Sequence, residues 1–261
     1  MPNSVLRERA GAVATITINR PAARNALTTE TKVALLSALR DCSDDPGIRA
    51  VILTGAGEAF CAGQDLREHA DQLAAGAGPV QTVRDHYNPI VMTITGMPKP
   101  VIAALPGVAA GAGAALAFAC DFRIAARRTR FAMAFAPIGL TADSGASWTL
   151  QRLVGTARAT ELIMLAEPVS SDRALELGLV TSVVADEELP AAAAAFAARL
   201  AAGPTLAYAA IKESLQYSAG HGLHEALAKE ADLQEQLGAS ADHLAATQAF
   251  LRKEVPVYEG R

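Results

Sequence analysis

The sequence contains few residues of the kinds that disulfide-bonded, metal-dependent or nucleic-acid-binding proteins require. Only 3 of its 261 residues are cysteine, an odd number without CxxC spacing, which argues against a disulfide framework or a zinc site. The 5 histidines form no HExxH motif, so we expect no catalytic metal. Charged residues make up 19% of the chain and the formal net charge is -4, which disfavours a nucleic-acid binder.

Long apolar runs are also missing. Glycine, proline or charged residues interrupt each stretch well before the ~20 residues that a membrane-spanning helix needs. Segment 1–13 lacks the apolar region of a signal peptide. We therefore expect no membrane partner and a cytoplasmic location. The chain does have 51% hydrophobic residues, which is enough for the core of one large domain.

Alternating strand-like and helix-like segments predict an α/β core followed by a helical segment. Residues 13–18 alternate with period two, and 50–54 and 100–105 are short apolar runs, so each predicts a strand. Thr28 is a candidate N-cap for a helix to about Ser43. Residues 71–79 hold two glycines and three alanines, and we expect them to be mobile. Further strands are predicted at 122–125 and 130–132, and helices to about Thr95 and near 156–166, 171–177, 186–202, 205–218, 222–237 and 240–253. Ala202-Gly203-Pro204 interrupts the helices, which favours a core domain over 1–200 and a helical segment over 201–261.

Two glycine-rich loops, 59–66 and 107–116, follow the two predicted apolar strands. The second loop does not fit a dinucleotide site, because Leu116 stands where GxGxxG needs its third glycine. Small residues leave backbone N–H groups uncovered, and the N-terminus of a helix adds a favourable partial charge. Two such N–H groups can converge on one carbonyl oxygen and stabilise an oxyanion. Tight turns in an alanine-rich core are the alternative interpretation of either loop.

Several motifs, in order along the chain, resemble those of the enoyl-CoA hydratase/isomerase (crotonase) superfamily. They are Asn19-Arg20-Pro21, Asn25-Ala26-Leu27, residues 59–66, 99–104 with 107–116, 120–125, Gly139-Leu140 and 174–180. The resemblance implies an α/β crotonase fold, a spiral of ββα units, whose C-terminal helices pack on neighbouring subunits in a homotrimer or dimer of trimers. It also implies an acyl-CoA thioester as substrate and no permanently bound cofactor. The thioester oxygen would be held by the backbone N–H groups of Gln64 and Ala112.

The same resemblance suggests which residues contact coenzyme A. They are Arg24, Ala26, Ala62, Gln64, Asp65 and Leu66 near the first loop, and Phe250 and Lys253, which would reach the CoA of a neighbouring subunit. Plainer interpretations stay open for these residues. Arg24 can be an ordinary surface arginine, and Asp65 can accept hydrogen bonds from backbone N–H groups. Phe250 can belong to an ordinary amphipathic helix. His69, His86 and Tyr87 lie in segments that could line the acyl pocket.

The reaction depends on acid and base residues that vary within the family. Ala115 and Phe135 stand where hydratases carry two glutamates, and neither can transfer a proton. One carboxylate remains nearby, Asp143, and it matches the lone base of members similar to ring-1,2-epoxyphenylacetyl-CoA isomerase. One base suffices for moving a double bond. Its alternative role is to cap the helix that begins near Gly145.

These residues favour an acyl-CoA isomerase with Asp143 as the catalytic base, and two other hypotheses stay open. The first is an enoyl-CoA hydratase with an atypical active site. The second is an acyl-CoA-binding scaffold without catalysis. A third group with an active-site aspartate, the aryl-CoA dehalogenases, fits poorly, because Phe135 and Met92 stand where those enzymes use tryptophan and histidine.

Overall fold

Two β-sheets lie at the centre of the computed structural model, which describes residues 3–76 and 80–261. The strands of the described chain are β1 (Val5–Ala10), β2 (Val13–Ile18), β3 (Ala50–Gly55), β4 (Ala59–Cys61), β5 (Val101–Leu105), β6 (Val108–Ala110), β7 (Phe122–Ala126), β8 (Arg130–Ala132), β9 (Val169–Ser170) and β10 (Ser182–Val184). One sheet has the order β1-β2-β3-β5-β7-β10 and the other β4-β6-β8-β9. Neighbouring strands are parallel except for the antiparallel pairs β1–β2 and β8–β9.

Helices connect the strands and then follow them. They are α1 (Thr29–Asp44), α2 (Leu66–Ala74), α3 (Asn88–Gly96), α4 (Ala112–Ala119), α5 (Ala146–Leu165), α6 (Ser171–Glu176), α7 (Leu189–Ala201), α8 (Thr205–Ser218), α9 (Leu223–Gly238) and α10 (Ala241–Arg252). A helical turn (Val80–Thr82) and a π-helical turn (Val83–Tyr87) lead into α3. This architecture confirms the predicted α/β core with a C-terminal helical segment.

The core lies on both faces of the larger sheet. Strand β3 is buried on both sides, with Val51 and Leu53 packed in the cluster that includes Leu35 of α1. Ala50 and Ile52, its alternate residues, face the second cluster, with Ala193 of α7. A strand covered on both faces reads as a continuous apolar run, which is why 50–54 was recognisable from the sequence.

Most of the predicted elements are confirmed. The strands predicted at 13–18 and 50–54 are β2 and β3, and the helix predicted after Thr28 is α1. The Thr28 side chain accepts a hydrogen bond from the Thr31 N–H, so the predicted N-cap is present. In the C-terminal part, α8, α9 and α10 lie where helices were predicted.

The structure differs from the predictions in several places. Strand β1 was not predicted because charged residues interrupt its apolar pattern; pairing with β2 makes it a strand. Helix α5 begins at Ala146, ten residues before the predicted start near 156, and Gly155 interrupts it with φ 76° and ψ 160°. Residues 71–74, expected to be mobile, belong to α2, while 77–79 lie outside the described residues.

The C-terminal segment is tied to the core by half-buried polar contacts. Lys212 of α8 donates to the Asp121 carboxylate at 2.7 Å and to two backbone carbonyl oxygens. Arg49 donates to the carbonyl oxygens of Gly203 at 2.6 Å and Tyr258 at 2.7 Å. Among the described helices none is singly long and apolar enough to cross a membrane; the pair 186–201 and 205–218 meets that criterion only when joined across a 98° bend.

Candidate functional site

The first glycine-rich loop pairs with the segment that precedes α1. The Leu27 N–H donates to the Gly63 carbonyl at 2.7 Å, and the Asp65 N–H donates to the Leu27 carbonyl at 3.1 Å. This is a single parallel bridge between Leu27 and Gln64. Because the residues on either side of Gln64 make both bonds, the N–H of Gln64 itself points away from this partner.

The second loop touches the first through glycine. A Cβ atom at Gly63 would lie 2.8 Å from the Ala110 carbonyl oxygen and 3.3 Å from the Ala112 nitrogen. A Cβ atom at Gly113 would lie 2.2 Å from the carbonyl oxygen of Cys61. Gly63 also has φ +88°, a conformation that L side chains rarely adopt. Only glycine at these two positions allows the loops to approach this closely.

Each of the two touching loops leaves one backbone donor without an acceptor. Ala112 is the first residue of α4, where an N–H group has no acceptor within the helix. Within the described residues no protein acceptor bonds to the N–H of Ala112 or of Gln64. Two such donors beside one another, with the helix N-terminus behind one of them, can hold a carbonyl oxygen that becomes negative. The oxyanion hole at the N–H groups of Gln64 and Ala112 stays a prediction, and the close contact of the two loops is compatible with it.

Asp143 lies in a strained turn before α5. Ser144 and Gly145 both have positive φ, 53° and 75°, and the Ser144 hydroxyl donates to Asp143 Oδ1 at 2.8 Å. The N-cap of α5 is Gly145, and no side chain caps it. The backbone carbonyl of Asp143, not its carboxylate, accepts the Ala146 N–H at 3.0 Å. The alternative that the Asp143 side chain caps this helix is therefore wrong.

The environment of Asp143 suits a base. Burial raises the pKa of its carboxyl group, while the Ser144 hydroxyl and the Lys32 ammonium act in the opposite direction. A half-buried carboxylate with a raised pKa binds a proton more readily than an exposed one. Ala115 and Phe135, which the resemblance places at the positions of the hydratase glutamates, are both buried apolar side chains. Asp143 thus keeps its candidate role without a second carboxylate at either position.

A buried lysine, which the sequence analysis missed, lies beside the first loop. Lys32 is 0% exposed, and its Nζ donates to Gln64 Oε1 at 3.0 Å and to the Thr82 hydroxyl. The ammonium lies 5.0 Å from the centroid of the Tyr87 ring, and the Tyr87 hydroxyl donates to the same Gln64 oxygen at 2.7 Å. We call Lys32, Gln64, Thr82 and Tyr87 the lysine cluster. Lys32 precedes Leu35 by three residues, so a charge on the apolar face of α1 was the available signal.

Charges around the lysine cluster come from two carboxylates. Burial lowers the pKa of Lys32, and the negative charges of Glu68 and Asp143 oppose this shift. Glu68 accepts the Thr29 N–H at 2.9 Å and so stabilises the start of α1. Burial raises the pKa of Tyr87, which keeps its phenol neutral. Gln64 Nε2 is buried and has no partner in the described chain.

The structure gathers most of the residues suggested for coenzyme A, but not all of them. Arg24 and Ala26 lie in the segment that pairs with Ala62 and Gln64. Asp65 accepts two N–H groups at the start of α2 and pairs with Arg20 at 2.9 Å, so it does satisfy backbone donors. Leu66, the first residue of α2, is 59% exposed.

Phe250 and Lys253 are separate from these loops within one chain. Phe250 is 81% exposed near the end of α10, and Lys253 follows with φ 57°. No hydrogen bond of the described residues joins either one to the site loops. Their suggested contact with the CoA of another subunit stays a prediction.

Two other candidate residues, Cys61 and His86, lie beside the proposed site. Cys61 is buried, and burial raises the pKa of its thiol to about 12, so it is no nucleophile at neutral pH. His86 Nδ1 lies 3.1 Å from the Thr82 hydroxyl, beside the lysine cluster. No group of three or more metal-ligating side chains is present among the residues that the structure describes.

Comparison with known proteins identifies the family. Residues 8–261 match the model of the enoyl-CoA hydratase/isomerase family. The 1,2-epoxyphenylacetyl-CoA isomerase of Escherichia coli (strain K12) is 40% identical over 250 residues, 95% of each chain. A Rhodobacter capsulatus protein named "Probable enoyl-CoA hydratase" is 42% identical over 249 residues, again 95% of each. The crystal structure of an enoyl-CoA hydratase from Polaromonas sp. JS666 has TM-score 0.91 and 36% identity, covering 97% of this chain and 99% of that one.

The chain therefore belongs to the enoyl-CoA hydratase/isomerase family and has the crotonase fold. The match extends over the α/β core and the C-terminal helices alike. Isomerases and hydratases are both among its relatives, so the family fixes the class of enzyme and leaves the reaction to the residues of the site.

Proposed function

We propose that this protein is an acyl-CoA isomerase in which Asp143 is the single catalytic base. The observation that carries the proposal is the state of the Asp143 carboxylate. It is half-buried with a raised pKa, and a hydroxyl, not a helix N-terminus, is its partner in the described chain. The Asp143 carboxylate caps no helix, and it lies in a turn in which Ser144 has a left-handed backbone conformation. Such a carboxylate is free to accept a proton from a substrate.

The reaction needs one base and one anion site. Asp143 takes a proton from C2 of a 3-enoyl thioester, and the electron pair moves onto the thioester oxygen as a dienolate. The N–H groups of Gln64 and Ala112 bind that oxygen and stabilise the charge. Asp143 then returns the proton to C4, so that the double bond lies between C2 and C3 and no atom is gained or lost. Isomerisation of a thioester whose epoxide lies on carbons 1 and 2 of the phenyl ring, as in the Escherichia coli relative's name, would use the same hole and base.

The substrate in this proposal is a coenzyme A thioester bound along the paired loops. Arg24, Ala26, Ala62, Asp65 and Leu66 lie on or beside the same bridge as Gln64. Their backbone groups and the exposed Arg24 side chain suit the nucleotide and phosphates of coenzyme A. Phe250 and Lys253 complete the site from an adjoining subunit in this proposal.

The experiment that tests the base is Asp143→Asn with a 3-enoyl-CoA substrate. The amide keeps the size of the side chain, so folding and acyl-CoA affinity should persist while turnover falls by about 10²–10⁴. Turnover, acyl-CoA affinity and melting temperature are measured together. A folded Asp143→Asn protein that binds acyl-CoA and isomerises it at the wild-type rate would contradict the proposal.

An atypical enoyl-CoA hydratase is the second candidate, favoured by the 42% identical relative with a hydratase name. Hydration needs a positioned water and a proton donor, and the hydratase glutamate positions hold Ala115 and Phe135. Under the isomerase proposal, crotonyl-CoA hydration runs at least ~100-fold slower than isomerisation of a 3-enoyl-CoA. Comparable rates would favour the hydratase. Absence of both reactions, and of C2 proton exchange in heavy water, would favour a non-catalytic scaffold.

The proposal includes assembly as a homotrimer or dimer of trimers. Several large apolar side chains of α9 and α10 are exposed in the single chain, among them Leu223 (76%), Phe250 (81%) and Leu251 (77%). A second copy of the chain that covers them would remove this apolar area from water. Light scattering on the purified protein, with Leu251→Glu as the interface variant, tests the assembly; a monomer at micromolar concentration would contradict it.

A further inference from the structure

The segment between β2 and α1 contains two consecutive residues with a left-handed backbone conformation. Arg24 has φ 49° and Asn25 has φ 57°. Residues other than glycine adopt this conformation at a cost, and it persists only where the surrounding structure holds it. Five of the described non-glycine residues have a positive φ, and only these two are neighbours in the chain. We call residues 20–26 the arginine turn, and its shape requires contacts that hold it.

The side chain of Asn25 supplies these contacts. Asn25 is 0% exposed, and its Oδ1 accepts the Arg20 N–H at 2.9 Å. Its Nδ2 donates to the carbonyl oxygen of Ala56 at 3.0 Å and to that of Ala59 at 2.7 Å. Because all three partners are backbone groups, one buried amide ties the arginine turn to the end of β3 and the start of β4.

The two arginines of the arginine turn differ in what they contact. Arg20 donates to Asp65 Oδ2 at 2.9 Å and to the Ala26 carbonyl oxygen, so its guanidinium is already used within the protein. Arg24 is exposed, and no carboxylate of the described residues forms an ion pair with it. The Arg24 carbonyl accepts the Ala62 N–H at 3.0 Å. Arg24 thus presents a cation beside the first glycine-rich loop.

We propose that Asn25 is a positioning residue for coenzyme A, which holds Arg24 in its left-handed conformation so that the guanidinium meets a phosphate of the coenzyme. The inference rests on the contact between Arg24 and coenzyme A in the proposed function. An arginine that is already in place loses less freedom when it binds a phosphate. Without the Asn25 amide, Arg24 relaxes to the right-handed conformation that L residues prefer, and its side chain leaves the phosphate.

Turnover of two thioesters separates this role from general damage to the structure. One substrate is a 3-enoyl-CoA, and the other is the 3-enoyl thioester of pantetheine, which has no nucleotide and no phosphate. Asn25→Gly allows a positive φ but makes no side-chain hydrogen bond. We expect kcat/KM for the CoA thioester to fall by about 10-fold, through KM, and kcat/KM for the pantetheine thioester to change by less than about 3-fold. Equal losses for the two substrates would overturn the proposal.

Two further variants complete this comparison. Ser171→Ala is the control, because it removes a buried hydroxyl that donates to the Arg127 carbonyl at 2.8 Å, on α6. The ratio of the two kcat/KM values should stay at the wild-type value in this control. Asn25→Asp keeps the acceptor for the Arg20 N–H and loses both donated bonds. It replaces Asn25→Gly if the latter fails to fold, and an unchanged ratio in the folded Asn25→Asp protein would likewise overturn the proposal.

Binding of free coenzyme A, measured by calorimetry, tests whether Asn25 acts through Arg24. We expect the Kd to rise by about 10-fold in Asn25→Gly and in Arg24→Ala. The double variant should bind no more weakly than Arg24→Ala alone, because the two residues form one unit. Free coenzyme A needs no base, so this measurement does not depend on Asp143.

The binding results also separate failure of this inference from failure of the proposed function. A weakened Arg24→Ala protein beside an Asn25→Gly protein of wild-type affinity would overturn the role of Asn25 and leave the Arg24 contact in place. Additive losses in the double variant would have the same meaning. Wild-type affinity of Arg24→Ala would overturn the proposed contact with coenzyme A, and this inference with it.

Discussion

The two halves of the candidate site hold their functional atoms by different means. In the proposed hole, the donors are backbone N–H groups, fixed by strand-like bonds of 2.7 and 3.1 Å and by glycines that let the loops touch. At the proposed base the functional atoms belong to the Asp143 side chain, and the pKa of its carboxyl group depends on burial, on the Ser144 hydroxyl and on the charge of Lys32. The first half of the candidate site therefore depends on backbone geometry, and the second half depends on the electrostatic surroundings of a carboxylate.

This difference explains how one family supports several reactions. Backbone donors do not titrate and do not change when a side chain is replaced, so the hole persists as long as the loops pack. The proposed proton-transfer group is a side chain, so a single substitution can remove it; the positions that the resemblance assigns to the hydratase glutamates hold Ala115 and Phe135 in this chain. The pKa of Asp143, in contrast, responds to each neighbouring charge.

The largest effect on the hole should come from Gly113→Ala. The new Cβ would lie 2.2 Å from a carbonyl oxygen of β4, so backbone atoms must move. We expect at least about 3 kcal/mol of destabilisation, at the upper end of overpacking costs, together with loss of turnover. Chemical denaturation and 3-enoyl-CoA turnover measure it. Gly96→Ala is the control, because a Cβ there meets nothing within 4 Å. Equal stability of the two variants would contradict the close packing of the loops.

A smaller but more specific effect should follow Ala112→Pro. Proline lacks the N–H and is tolerated at the first residue of a helix, so the change removes one donor of the hole. We expect turnover to fall by about 10²–10³, the usual loss for one oxyanion donor, with acyl-CoA still bound. Ala112→Gly keeps the N–H and should retain most of the turnover. A folded Ala112→Pro enzyme with normal turnover would place the second donor elsewhere.

The smallest effect should come from Ser144→Gly, in the half governed by electrostatics. Glycine relieves the left-handed conformation at φ 53°, while loss of the hydroxyl removes a donor that lowers the pKa of Asp143. Since the two changes oppose each other, unfolding free energy should stay within about 1 kcal/mol of the wild type. The acidic limb of kcat/KM should rise by a fraction of a pH unit, because activity is lost as pH falls through a higher Asp143 pKa.

Ser144→Ala is the companion variant. It removes the same hydroxyl and keeps the strained conformation, so it should show the same rise of the acidic limb with lower stability than Ser144→Gly. A downward shift of the limb in either variant would contradict the assignment of Asp143 as the titrating base.

Local patterns were enough for much of the fold. The alternation of 13–18, the apolar run 50–54 and the Thr28 N-cap each report a physical preference that acts within a few residues. Strand β1 was not predicted, because its charged residues give no strand pattern and it is held in place by its hydrogen-bonded pairing with β2. The start of α5 was predicted too late in the chain, because Gly155, which interrupts the helix, resembles a helix boundary in sequence.

The sequence by itself determined the α/β order of elements, the two small-residue loops and the family to which their motifs belong. It also supplied Asp143 as the one acid among the candidate proton-transfer positions. Tertiary structure decided the rest. Only the approach of Gly63 to Ala112 brings the two candidate donor loops into contact, and only the packing around α1 buries Lys32 beside Gln64. The physical reason is that both depend on contacts between segments far apart in the chain, which no local pattern encodes.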